Sequence, residues 1–145
     1  ISLSGQGIAR NARLPVFMLG YMASGPMTEI VLYETAAWVI AAVASGSHIE
    51  AEGVSKATHV DHFTPMEPRF AAEVAYAATG IKRSFANELV KALLPKYEDK
   101  IKDAPTGKRF VECYDMTTGK PSEDYLRLYS KIKKELEDLG LEFKY

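Results

Sequence analysis

One cysteine, one tryptophan, no apolar run long enough to cross a bilayer and no surplus of either charge: the scarcities of this 145-residue chain already narrow its function. Cys113 has no internal partner for a disulfide, so nothing points to an oxidising compartment and the expected location is the cytoplasm. Its neighbours give no reason to read it as a nucleophile. With 18 Lys and Arg against 19 Asp and Glu, the net charge of −1 gives no electrostatic reason to expect nucleic acid or an anionic membrane as partner. The most apolar helical stretch, Thr35 to Ala44, is about half of the roughly 20 residues a membrane span needs. Neither an initiating methionine nor a basic leader is present, and the chain opens on Ile1-Ser2-Leu3 as though met midway through a longer protein. What remains, 47% hydrophobic and 26% charged residues, is the composition of a globular protein with one modest core.

The most informative stretch runs from Gly20 to Glu34. The preceding Leu14-Pro15-Val16-Phe17-Met18-Leu19 is short and apolar without alternation, as expected of a parallel strand over Val16 to Leu19 covered on both faces. Gly20 and Gly25 let the backbone turn, and Thr28 with Glu29 supply a helix cap and a first-turn negative charge. From there Ile30, Tyr33, Glu34, Ala37, Trp38, Ala41 and Ala42 recur at helical spacing until Ser45-Gly46. Ser47 to Gly53 is expected to be a second strand. Met66, Phe70, Val74 and Ala77 mark a second helix ending at Gly80.

Ser84 is expected to cap a further amphipathic helix that Pro95 divides, and Ala104-Pro105-Thr106-Gly107 breaks the chain again. A loop at Thr117-Thr118-Gly119 leads to Ser122 and a last helix, striped by Tyr125, Leu128, Tyr129, Ile132 and Leu136 and stopped at Gly140. Ahead of all this, Ile1 to Leu3 is expected to end a strand, Ser4 to Gly7 to form a loop, and Ile8 to Asn11 a short helical turn. Two consecutive βα units imply an α/β fold with parallel strands, either doubly wound or a (β/α)8 barrel. Two strands complete neither architecture, so further strands or other subunits are expected.

Several segments in order resemble a known family: Ala-Arg-Asn-Ala-Arg-Leu-Pro-Val at 9 to 16, Ser-Gly-Pro-Met-Thr-Glu at 24 to 29, Leu-Tyr-Glu at 32 to 34, Val-Asp-His at 60 to 62 and Leu-Leu-Pro-Lys-Tyr-Glu-Asp at 93 to 99. With Glu-Cys-Tyr-Asp at 112 to 115 and Lys-Lys-Glu-Leu at 133 to 136, they resemble the C-terminal part of the archaeal monomethylamine methyltransferases. The resemblance implies the C-terminal portion of a (β/α)8 TIM barrel: residues 1–82 as the last two βα units, and 83–145 as a C-terminal helical extension of the same domain. It further implies transfer of the methyl group of monomethylamine to the cobalt of a cognate corrinoid protein; separately, a homo-oligomer is expected. No cofactor would be bound by this chain, the corrinoid being carried by the partner. The family's catalytic pyrrolysine is not in this sequence and would lie upstream.

Groups at the C-terminal ends of barrel strands face the site, which nominates Tyr21, Ser24 and Glu50 as a supporting catalytic shell and Met22 and Glu52 as substrate-binding residues. Each has a plainer reading: Tyr21 as a core aromatic, Met22 and Ser24 as packing and turn residues, and Glu50 as an acid near a strand end. Glu29 reads as a helix-start charge and Glu34 as a buried or interface acid. Activating an amine for methyl transfer calls for an electrophile flanked by carboxylates and hydrogen-bond acceptors, and this chain can supply only the flanking groups.

Two other function classes compete. A noncatalytic scaffold would self-associate through Trp38, Val39 and the apolar stripe of the last helix. A metal-dependent hydrolase would use His59, Asp61 and His62 with Glu67 nearby, although loop spacing fixes no ligand geometry and no metal site is expected. Gly5-Gln6-Gly7 lacks the remaining glycine and the strand-helix setting of a dinucleotide fingerprint.

Overall fold

A computed structural model describes residues 2–12, 14–54 and 59–143 of the chain. It opens on helix α1 (Ser2–Asn11), so the strand end expected at Ile1 to Leu3 and the loop at Ser4 to Gly7 give way to helix, with Ile1 itself outside the described residues. Asn11 closes the helix, its side-chain amide donating to the Gly7 carbonyl at 2.7 Å. A Ser-Gly-Gln-Gly run looks like a loop in isolation, and only the helix as a whole resolves it.

Strand β1 (Phe17–Met22) runs further than Val16 to Leu19, and its two faces differ sharply. Met18 and Met22 are buried, whereas Phe17, Leu19 and Tyr21 are 60%, 46% and 66% exposed. The strand expected to be covered on both sides is therefore covered on one. On the covered side Gly20 makes room for Trp38, since a Cβ there would sit 2.6 Å from the indole ring.

Thr28 caps α2 (Glu29–Ala44), its hydroxyl accepting from the Val31 N–H at 3.2 Å. This helix is apolar nearly all round, with Val31, Leu32, Ala36, Val39 and Ile40 fully buried. Such a helix must be surrounded. It is flanked by β1 and β2 (His48–Val54) and by the helices α3 (Met66–Ala78), α4 (Arg83–Leu93) and α6 (Glu123–Asp138). Trp38 and Val39 belong to this core, so they do not form the self-association surface a scaffold would need.

β2 lies parallel to β1, pairing Phe17 with His48 and Met18 with Ile49, and then slips so that Leu19 faces Ala51. Two strand-helix units with a parallel pair are the α/β pattern expected. α4 starts after Lys82 rather than Ser84, which falls within its first turn. The helix stops at Leu93, and Pro95 follows in a 3₁₀ turn over Leu94–Lys96.

The remainder is not purely helical. After α5 (Phe110–Cys113), the strands β3 (Tyr114–Asp115) and β4 (Lys120–Pro121) form a small hairpin, and Ser122 then caps α6. Residues 83–143 share one core with the first part: Leu93, Tyr125, Ile132 and Leu136 pack in the same cluster as Phe70 and Val74. The Tyr33 hydroxyl and the Lys96 ammonium both donate to Glu135, at 2.8 and 2.9 Å, which ties α2, the 3₁₀ turn and α6 together.

Candidate functional site

The segment leaving β1, residues 23 to 28, is held on two sides. From below, Glu34 of α2 accepts the Ala23 N–H at 2.6 Å and the Ser24 hydroxyl at 2.8 Å, with the Ser24 N–H at 3.5 Å. Both Ser24 and Glu34 are buried. From the other side comes residues 105 to 108, where the Gly25 N–H donates to the Pro105 carbonyl at 2.8 Å and the Lys108 N–H to the Pro26 carbonyl at 3.0 Å. Gly25 and Gly107 allow this close approach, and between them Met27 is left-handed with φ 59°.

Asp61, ahead of α3, is joined to the same 105–110 strap, since the Phe110 N–H donates to its carbonyl at 2.6 Å. Below it lies Glu67, fully buried at the start of α3. Its carboxyl accepts the Thr64 N–H at 2.9 Å and the Thr64 hydroxyl at 2.8 Å, and the Tyr125 hydroxyl of α6 also donates to it. Burial pushes the Glu67 carboxyl up from 4.5 to about 7, against the opposing pull of the Thr64 donors. Burial, helped by the Glu67 charge, likewise pushes the Cys113 thiol up to about 12, which leaves it unreactive near neutrality.

A testable consequence concerns pH. Because the folded chain holds Glu67 protonated above its ordinary range, this group costs nothing below about pH 4.5 and opposes folding progressively as pH rises to about 7. The decline should reach up to about 3 kcal/mol, and it should be missing in Glu67→Gln, whose denaturation midpoint would stay flat across that window. A wild-type stability that rises between pH 4.5 and 7 in step with the variant would contradict this.

The residues nominated from sequence fall in different places. Tyr21 is exposed on the open face of β1, alongside Phe17 and Leu19. Glu50 is exposed in β2 at the slip in the ladder, where it has no partner in register, and Glu52 lies opposite Gly20. Met22 points the other way, into the core, and Ser24 is tied to Glu34. The open face thus gathers Tyr21 and Phe17 with His48, whose ring centroid lies 5.5 Å from that of Phe17. Glu34 was readable only as an acid inside an otherwise apolar helix, and residues 105 to 110 carried no local signal beyond Pro105 and Gly107.

His59 and His62 meet edge to face at 5.7 Å, but Glu67 is committed to Thr64 and Tyr125. Among the described residues no three His, Cys, Asp or Glu side chains are placed to hold a metal ion. Among the same residues, no helix is long and apolar enough to cross a membrane.

Against known proteins, the family model described as monomethylamine methyltransferase MtmB matches residues 2–141. The chain is 45% identical over 125 residues to a monomethylamine methyltransferase of Methanosarcina mazei, covering 85% of this chain and 27% of that protein. A Methanosarcina acetivorans relative of the same description is 43% identical over the same coverage. The crystal structure of the Methanosarcina barkeri monomethylamine methyltransferase superposes with a TM-score of 0.85 at 40% identity, over 94% of this chain and 30% of that one. The chain thus spans about a quarter of the length of the curated relatives it matches.

Proposed function

Because the chain belongs to the monomethylamine methyltransferase family, we propose that it forms the C-terminal portion of a (β/α)8-barrel enzyme moving the methyl group of monomethylamine to a corrinoid protein. In this reading residues 1–82 are the last two βα units and 83–145 an extension of the same domain. Membership over nearly the whole chain carries the reaction. The need for completion rests on the open face of β1: apolar side chains as large as Phe17 and Leu19 stay exposed, which a closed barrel would cover. A groove of about 620 Å³ beside β2, walled by Ile49, Pro68, Ala72 and Tyr76, offers a second surface for the missing elements.

The C-terminal ends of β1 and β2 then border the reaction site. Tyr21 would stand in its wall as a hydrogen-bonding group near the end of β1, with the charged Glu50 deeper, third of seven along β2, and Glu52 nearer that strand's end. Ser24 contributes through its bond to Glu34, and Met22 through packing behind the strand. Pyrrolysine, expected upstream, would be the electrophile that receives the amine, and the partner's corrinoid would supply the cobalt that accepts the methyl group. What this chain does is orient and exclude water. A cytoplasmic homo-oligomer belongs to the same reading.

A chimera tests it. Residues 2–141 placed in the Methanosarcina mazei methyltransferase, in exchange for the matching segment, should keep monomethylamine-dependent methylation of the corrinoid partner. A folded chimera without that activity would count against the assignment.

A further inference from the structure

Glu34 occupies the second turn of a helix that packs through apolar side chains, and it is only 6% exposed. A carboxylate buried there is tolerable only because it is hydrogen-bonded, and all three of its donors come from Ala23 and Ser24. An apolar residue would fill the same space. What the carboxylate adds is a fixed course for the backbone that leaves β1, two residues beyond Tyr21. The strap over Pro105 to Phe110 bounds the same segment from outside, and Phe110 also bonds to Asp61 ahead of α3. The segment after β1, with Glu34 at its buried end, is therefore tied through the strap to Asp61 ahead of α3.

We propose that Glu34 is a positioning residue for methyl transfer: it seats Ala23 and Ser24 against the 105–110 strap, so that the end of β1 with Tyr21 meets the substrate in one geometry. This rests on the methyltransferase reading above. Glu34 touches no reacting atom in this account. It acts through the loop.

The test uses the full-length methyltransferase carrying this segment. Glu34→Gln keeps the shape but replaces one accepting oxygen with a donor, so Ala23 or Ser24 loses its acceptor. Turnover of monomethylamine should fall by roughly a hundred-fold with a much smaller change in KM, as expected when orientation rather than binding is lost. Glu34→Asp, which retains the charge, should recover part of that loss. Amide exchange at Ala23 and Ser24 should accelerate while α3 and α6 stay protected. Parental turnover in Glu34→Gln would overturn the proposal, as would a loss of turnover accompanied by faster exchange throughout the core. If the parent enzyme itself does not turn over monomethylamine, the methyltransferase reading fails and takes this one with it; an active parent with an unaffected variant refutes the positioning role alone.

Discussion

Gly25→Ala is expected to destabilise the chain by about 3 kcal/mol or more, one of the largest effects any single methyl could have here. The added Cβ would lie 1.6 Å from the Thr106 carbonyl oxygen and 2.4 Å from its carbon. Both atoms are backbone, so no side chain can swing aside. Relief requires the strap to move away, and that breaks the bonds from Gly25 to Pro105 and from Lys108 to Pro26. Gly7→Ala provides the contrast, because its Cβ meets nothing within 4 Å and it sits inside α1. That variant should be stabilised by about 0.5–1 kcal/mol. Denaturant midpoints of the two variants, measured side by side, check both statements. Equal midpoints would mean that the strap is not seated on Gly25.

Phe70→Ala should cost about 3–5 kcal/mol, a core loss with no compensating contact. Phe70 is fully buried in α3 and meets Tyr129 of α6 edge to face, with ring centroids 5.3 Å apart and planes at 77°. The ring therefore joins α3 to α6, and its removal opens a cavity between them. Unfolding should stay a single transition at a lower midpoint, since residues 83–143 share the core rather than forming their own. Two separate transitions in the variant would show that the extension is an independent unit.

How far the sequence led depends on how local each signal was. α2 was legible because its cap, its apolar spacing and its Ser45-Gly46 stop all lie within one continuous stretch, and α6 was legible for the same reason. β1 misled on burial: an unbroken apolar run implies two covered faces, but Phe17, Leu19 and Tyr21 stay exposed, with no covering element among the described residues. On the proposed reading, the rest of a barrel would supply that burial. Only the end of α1, Ile8 to Asn11, was legible as helical; its first part was missed because Gly5 and Gly7 argue against helix locally.

The site was less readable than the fold. Tyr21 does fall near the end of β1, whereas Glu50, expected near a strand end, is third of seven in β2; the partner of Ser24 is ten residues away on α2 and the strap on Gly25 is some eighty residues away. Neither separation leaves a pattern in the sequence. Glu67 could be noticed only as an acid close in sequence to His59, Asp61 and His62, whereas its neighbours show a buried acid bonded across to α6.

The measurement that bears most directly on this account is monomethylamine-dependent methylation of the corrinoid protein, run with the 145-residue chain alone and with the full-length polypeptide that carries it. The account predicts no transfer by the chain alone, and transfer by the full-length polypeptide from monomethylamine in preference to dimethylamine or trimethylamine. Turnover by the 145 residues unaided, or a folded full-length protein that leaves the corrinoid unmethylated, would contradict it.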